Sequence, residues 1–296
     1  MKYCLQVVFI FTFCLNFKTT QSRNYIDIKS RTGIFKGDIQ KLAFEVTLTD
    51  NPHLNTKMDV LNWHNKCKGA IISSRMVLTT TACAGGNVSH MYMYCGYLSI
   101  NNAEGFLMSH LKDARIVEKH KRGHESGIAL IELGERLDLR NPDISLGELP
   151  DFLPINKEVP SQLSCNMMSY ITNHAPTIVN LQLFERDECN DIIRVLNEEI
   201  DMNDTDYCIV LPGTSSVLRG IVDGSTCTWN GKIIGLVTKI VQNKEKSFRI
   251  IPVINIGMHV NWIRSKMLGL RYKRSGGSIS ILKYNLYIIL ITQFMQ

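Results

Sequence analysis

The sequence predicts an all-β protein, and three observations predict it. Short apolar and β-branched runs separated by turn residues recur along the chain, as in Val88 to Tyr97 and Ile128 to Leu133. No segment of the first half carries apolar residues at helical spacing. A proline-marked connection, from Asn141-Pro-Asp through Leu149-Pro and Leu153-Pro to Val159-Pro, divides the chain into halves of similar size. Strands of this length build barrels or sandwiches, one in each half.

The elements follow in order. Lys2, the apolar run Val7-Val8-Phe9-Ile10-Phe11-Thr12-Phe13 and the small residues Thr19, Thr20 and Ser22 read as a secretory signal peptide over residues 1–22. The alternative, a membrane anchor, is disfavoured because the apolar run is too short to span comfortably. A secreted, extracellular chain meets oxidising conditions. Leu42-Ala-Phe-Glu-Val-Thr-Leu48 alternates as a half-buried strand does. The second half opens at Leu163-Ser-Cys165, carries a short helix around Asp187 to Leu196, and closes with the runs Ile233 to Thr238 and Phe248 to Val253. From Asn255 to Leu268, Ile256, Val260, Ile263 and Met267 recur at helical spacing with Trp262 beside them, which predicts a C-terminal helix.

Composition excludes several function classes. The chain has 296 residues, 45% of them hydrophobic and 20% charged, enough for a substantial core. Its net charge of +6 resides at the two ends. Lys2 and Lys18 lie in the leader, and Arg271, Lys273, Arg274 and Lys283 lie in a tail without acidic residues, which leaves the body neutral. Bulk charge therefore gives no support to a nucleic-acid or heparin face. The histidines, among them His64, His90, His110, His120 and His124, show no zinc-site spacing, and no cofactor or metal is expected. Asn87-Val-Ser and Asn203-Asp-Thr are glycosylation sequons. There is no internal repeat.

Of nine cysteines, Cys4 and Cys14 leave with the signal peptide; Cys67, Cys83, Cys95, Cys165, Cys189, Cys208 and Cys227 remain. Spacing alone does not fix their pairing.

Cys67-Lys-Gly-Ala-Ile-Ile-Ser-Ser-Arg-Met-Val-Leu-Thr-Thr-Thr-Ala-Cys83 resembles a landmark of the trypsin-like serine proteases, in which a Cys-Gly-Gly-Ser-Leu-Ile strand leads into Trp-Val-Leu-Thr-Ala-Ala-His-Cys. The resemblance covers about residues 34–268 and implies a double six-stranded antiparallel β-barrel with a C-terminal helix. The homologue domain then spans 23–268, with the first barrel at about 34–140, the second at about 160–255 and the helix at 255–268. It further implies the bridges Cys67 with Cys83, Cys189 with Cys208 and Cys165 with Cys227. Cys95 is left over, either as a buried thiol or as the donor of an intermolecular disulfide.

The same resemblance exposes what the chain lacks. The general-base position beside the second cysteine is Ala82, and a methyl group cannot accept a proton. The family's acid begins an Asp-Ile-Ala-Leu strand; here the stretch is Gly127-Ile-Ala-Leu130. His124 and Glu125 precede it at a distance that suits a solvated loop. The nucleophile of Gly-Asp-Ser-Gly-Gly-Pro falls in Leu218 to Gly231, at Asp223 when counted from Asn230-Gly231 and at Ile221 when counted from Cys227. Ser225 needs a further shift to reach that place. The glycine of the oxyanion hole becomes Ile221 or Arg219 in the two registers. Loss of a whole triad costs about a millionfold in rate.

Activation and substrate binding are altered in parallel. Ile34-Phe-Lys-Gly resembles the family's mature start, but Arg31 is separated from it by Thr32-Gly33, and the partner of the freed amine would be Val222 or Gly220. The substrate-pairing Ser-Trp-Gly resembles Thr238-Lys239-Ile240, where isoleucine fills the pocket mouth.

Residues 269–296 lie beyond the family pattern. Arg271-Tyr-Lys-Arg274 before Ser275-Gly-Gly-Ser reads either as a processing site with a linker or as the basic end of the helix. Ile279 to Gln296 is apolar but too punctuated for a membrane span, and a lipid-anchor signal would need a polar spacer.

The expectation is a catalytically inactive, secreted serine-protease homologue of the insect type. Its partners would be extracellular proteins, such as active proteases, their inhibitors or their substrates, in an immune or reproductive network. The alternatives are a membrane- or carbohydrate-associated recognition protein, with contact through the tail, and a hydrolase with relocated residues.

Overall fold

The computed structural model describes residues 33–35, 42–50, 67–85, 88–95, 107–110, 114–121, 127–141, 144–151, 164–172, 175–195, 207–212, 221–238, 241–242 and 248–274. In chain order the strands are β1 (Gly33–Phe35), β2 (Glu45–Thr49), β3 (Cys67–Ser73), β4 (Met76–Thr80), β5 (Tyr92–Cys95), β6 (Leu107–His110), β7 (Arg115–Lys121), β8 (Gly127–Glu132), β9 (Ser164–Thr172), β10 (Ala175–Gln182), β11 (Phe184–Glu185), β12 (Tyr207–Pro212), β13 (Thr226–Trp229), β14 (Lys232–Val237), β15 (Val241–Gln242) and β16 (Phe248–Asn255). The helices are α1 (Arg186–Val195) and α2 (Val260–Arg274).

Every named pairing is antiparallel, and the strands form two sheets. The first runs β6-β5-β2-β3-β4-β8-β7. Its end strands are consecutive in the chain, so the backbone itself ties one edge of the sheet to the other. With β6 and β7 counted together, the sheet has a set of six. The second sheet runs β1-β10-β9-β13-β14-β16-β12-β11, with β15 on β16. Six long strands carry it, and the two- and three-residue pieces β1, β11 and β15 are additions.

The structure corrects four expectations. Gly33 pairs with Asn180, Ile34 with Val179 and Phe35 with Ile178, so the segment assigned to the start of the first barrel belongs to the second. Ile34 thus stands inside a ladder, where the resemblance would make it a chain terminus. Among the described residues of the run from Val88 to Tyr97, Tyr92–Cys95 is strand and Val88–His90 forms a 3-10 turn. Strand β2 is buried at all five positions, and on the face that alternation assigned to solvent Glu45 is met by Thr226 of the second barrel. The C-terminal helix begins at Val260, after a 3-10 turn capped by the Asn255 side chain, and continues to Arg274. Good helix formers after Gly269 carry it past Leu268. Arg271 to Arg274 is therefore the end of a helix.

Burial explains the architecture. In β14, Ile233 and Leu236 join the core shared with the first barrel, whereas Ile234 and Val237 point into the second barrel's own interior. In β12, Ile209 and Leu211 face that interior, while Cys208 and Val210 lie under α1 with Ile193. Strands covered on both faces read as near-continuous apolar runs, as Ile128-Ala-Leu-Ile131 does. Ile256, Val260 and Ile263 seat the C-terminal turn and helix on the shared core. Three disulfides close the scaffold: Cys67–Cys83, Cys165–Cys227 and Cys189–Cys208.

Candidate functional site

The stretches expected to carry the base, the acid and the nucleophile meet where the barrels touch. Beyond Thr80, β4 turns sharply: the Ala84 N–H donates to the Thr80 carbonyl (3.1 Å) and the Gly85 N–H to that of Ala82 (2.9 Å). This turn leaves Ala82 exposed. The Thr81 N–H donates to the Gly127 carbonyl (2.8 Å), placing the start of β8 beside the turn. The Cys67–Cys83 bridge then fastens the turn to β3.

From the second barrel, residues 222–225 reach into the same place. The Ser225 N–H donates to the Val222 carbonyl, and the Val222 N–H donates to the Ser225 hydroxyl oxygen, both at 3.0 Å. Ser225 is buried with its hydroxyl held in this turn. Gly224 adopts φ +82°, and a Cβ there would lie 1.9 Å from the Lys68 carbonyl oxygen, so the backbones touch only because the residue is glycine. The Lys68 N–H donates to the Asp223 carbonyl (2.8 Å). The Thr80 hydroxyl donates to Asp223 Oδ1 (2.8 Å) and accepts from the Cys83 N–H (3.3 Å). Burial pushes the Asp223 carboxyl above the usual carboxylate range, opposed by the hydrogen bonds from Thr80 and from the Gly224 N–H. Ile221 lies in the interior of the second barrel, 2% exposed.

A second polar group lies at the same junction. Glu45 is wholly buried; it accepts from Lys68 Nζ (2.5 Å), from the Thr226 hydroxyl (2.6 Å) and from the Thr226 N–H (3.2 Å). Lys68 stands where the resemblance has glycine. These residues escape a sequence reading, because alternation puts Glu45 on a solvent face. The available signal is a lysine directly after Cys67 in an otherwise apolar strand.

The structure thus brings together the turn at Ala82, the first residue of β8, Asp223 and the Cys67–Cys83 bridge. The cluster Cys67, Cys83 and Asp223 has ligand-like spacing, but its sulfurs are bonded to each other and offer no thiolates. Cys95 is buried in β5 outside the three bridges, and burial pushes its thiol up to about 11. That environment favours the buried-thiol reading. The sequons at Asn87 and Asn203, His64, His124, Glu125, Arg219, Gly220, Lys239 and Ile240, residues 1–32 and residues 275–296 lie outside the described residues. Among the described residues no helix is long and apolar enough to cross a membrane.

Neither a protein-family model nor a curated protein matches the chain. Solved structures do. The scabies mite inactivated protease paralogue S-I1 aligns at a TM-score of 0.58 with 19% identity over 80% of this chain and 99% of its own. A second scabies mite inactivated protease paralogue, S-D1, aligns at 0.53 with 17% identity over 80% and 97%. Kallikrein-related peptidase 10 aligns at 0.52 with 15% identity over 76% and 95%. Together with the two antiparallel barrels and the C-terminal helix, these likenesses define the fold as the trypsin-like double β-barrel.

Proposed function

We propose that this chain is a secreted, non-catalytic homologue of the trypsin-like serine proteases that acts by binding other extracellular proteins. The junction between the barrels carries the reading. The three triad positions are Ala82, Gly127 and either Ile221 or Asp223, and none of these supplies an imidazole, the orienting carboxylate or a nucleophilic hydroxyl in its role. Asp223 meets Thr80 beside the Ala82 turn, whereas Ile221 lies in the interior of the second barrel, which favours the count from Asn230-Gly231. Of the neighbouring hydroxyls, Ser225 is buried in its own turn and Thr80 is committed to Asp223.

The descriptions of the scabies mite neighbours as inactivated protease paralogues support the same reading. A fold without its site works through its surfaces. The partners proposed are active proteases, their inhibitors or their substrates, in an immune cascade or a reproductive-fluid network. Affinity purification from the native extracellular fluid tests this. The expected capture is a protein of one of those classes, whose activity or cleavage changes when the purified chain is added. Recovery of only a glycan or a lipid contradicts the proposal.

A further inference from the structure

A carboxylate as buried as Glu45 is costly unless an opposite charge and hydrogen bonds offset its lost hydration. Both are present, and they come from different barrels. Lys68, on the strand next to that of Glu45, supplies the charge at 2.5 Å. Thr226, on β13 of the second barrel, supplies the other two hydrogen bonds, from its hydroxyl at 2.6 Å and its N–H at 3.2 Å. An ion pair serving only the first barrel would need no donors from the second.

Lys68 acts twice at this junction. Its side chain balances Glu45, and its backbone N–H binds the Asp223 carbonyl three residues before Thr226. The next residue along β13, Cys227, is bridged to Cys165 on β9. A hold on Thr226 is therefore a hold on two strands of the second barrel.

We infer that Glu45 is an inter-barrel pin: a carboxylate of the first barrel that fixes β13 of the second, with Lys68 providing the charge that makes its burial tolerable. The pin sets the two barrels in one relative position, so that residues from both form one fixed surface across the junction.

Amide hydrogen exchange on the full-length secreted chain tests it. In Glu45→Gln and Thr226→Val, the β13 amides are expected to exchange about tenfold faster, with β10 and β12 at wild-type rates. The discriminating protein is the uncharged double variant Glu45→Leu with Lys68→Met, which leaves no lone buried charge. The pin predicts that β13 still exchanges faster in this protein. Wild-type protection of β13 in the folded double variant would overturn it. If that variant does not fold, Thr226→Val decides alone: accelerated exchange at β13 supports the pin, and unchanged exchange refutes it.

Discussion

At the residue scale, the polar groups at the junction are tied to one another by hydrogen bonds. Asp223 illustrates this, since its carboxyl is buried against Thr80 and the Cys67–Cys83 turn and titrates above the ordinary range. A folded-state value raised above the unfolded one favours the protonated acid. The contribution to stability is complete below the unfolded value and is lost as pH rises through the folded one. Asp223→Asn should therefore raise the melting temperature relative to wild type at pH 7, with the gain vanishing towards pH 4; thermal unfolding across that range checks it. Cys95 makes a second prediction. Its buried, protonated thiol should resist a thiol reagent in the native protein and react once the chain unfolds without reductant. Labelling of the native protein would contradict the buried reading. The meeting of the Ala82 turn with Gly127 was legible in the sequence because a cysteine and an apolar strand mark their positions. The burial of Glu45 was not, since it depends on a neighbouring strand and on a third from the other barrel.

At the element scale, two glycines with similar backbone angles should behave differently. Gly224 and Gly231 have φ +82° and +78°, but a Cβ at Gly224 meets the Lys68 carbonyl oxygen, whereas one at Gly231 meets nothing within 4 Å. Gly231→Ala should cost about 1 to 2 kcal/mol, the ordinary penalty for a left-handed residue. Gly224→Ala should cost several-fold more, because the barrels must separate locally to admit the methyl group. Chemical denaturation of the two variants measures the difference. The helix α2 was foreseen from Ile256, Val260 and Ile263, whose spacing shows which face docks. Its C-terminal limit was not, because Gly269 directly after Leu268 reads as a helix stop, whereas the helix runs through it and Leu270 to Arg274 continue it. The placement of β1 escaped for another reason. Gly33-Ile-Phe35 carries no signal for which sheet receives it, and pairing with a strand some 145 residues away is a property of the whole topology.

At the scale of the molecule, the disulfides and the shared core hold the two-barrel scaffold together. The Cys165–Cys227 bridge spans 62 residues of the second barrel. Replacing both cysteines by serine should cost about 2 to 5 kcal/mol of stability. An active-site-directed fluorophosphonate probe, applied to the purified protein beside an active trypsin-like enzyme, tests whether the junction carries a nucleophile. The expected result is no covalent labelling of the folded chain and no peptide-ester hydrolysis above buffer. Stoichiometric labelling of one serine, abolished by unfolding and accompanied by turnover, would contradict it.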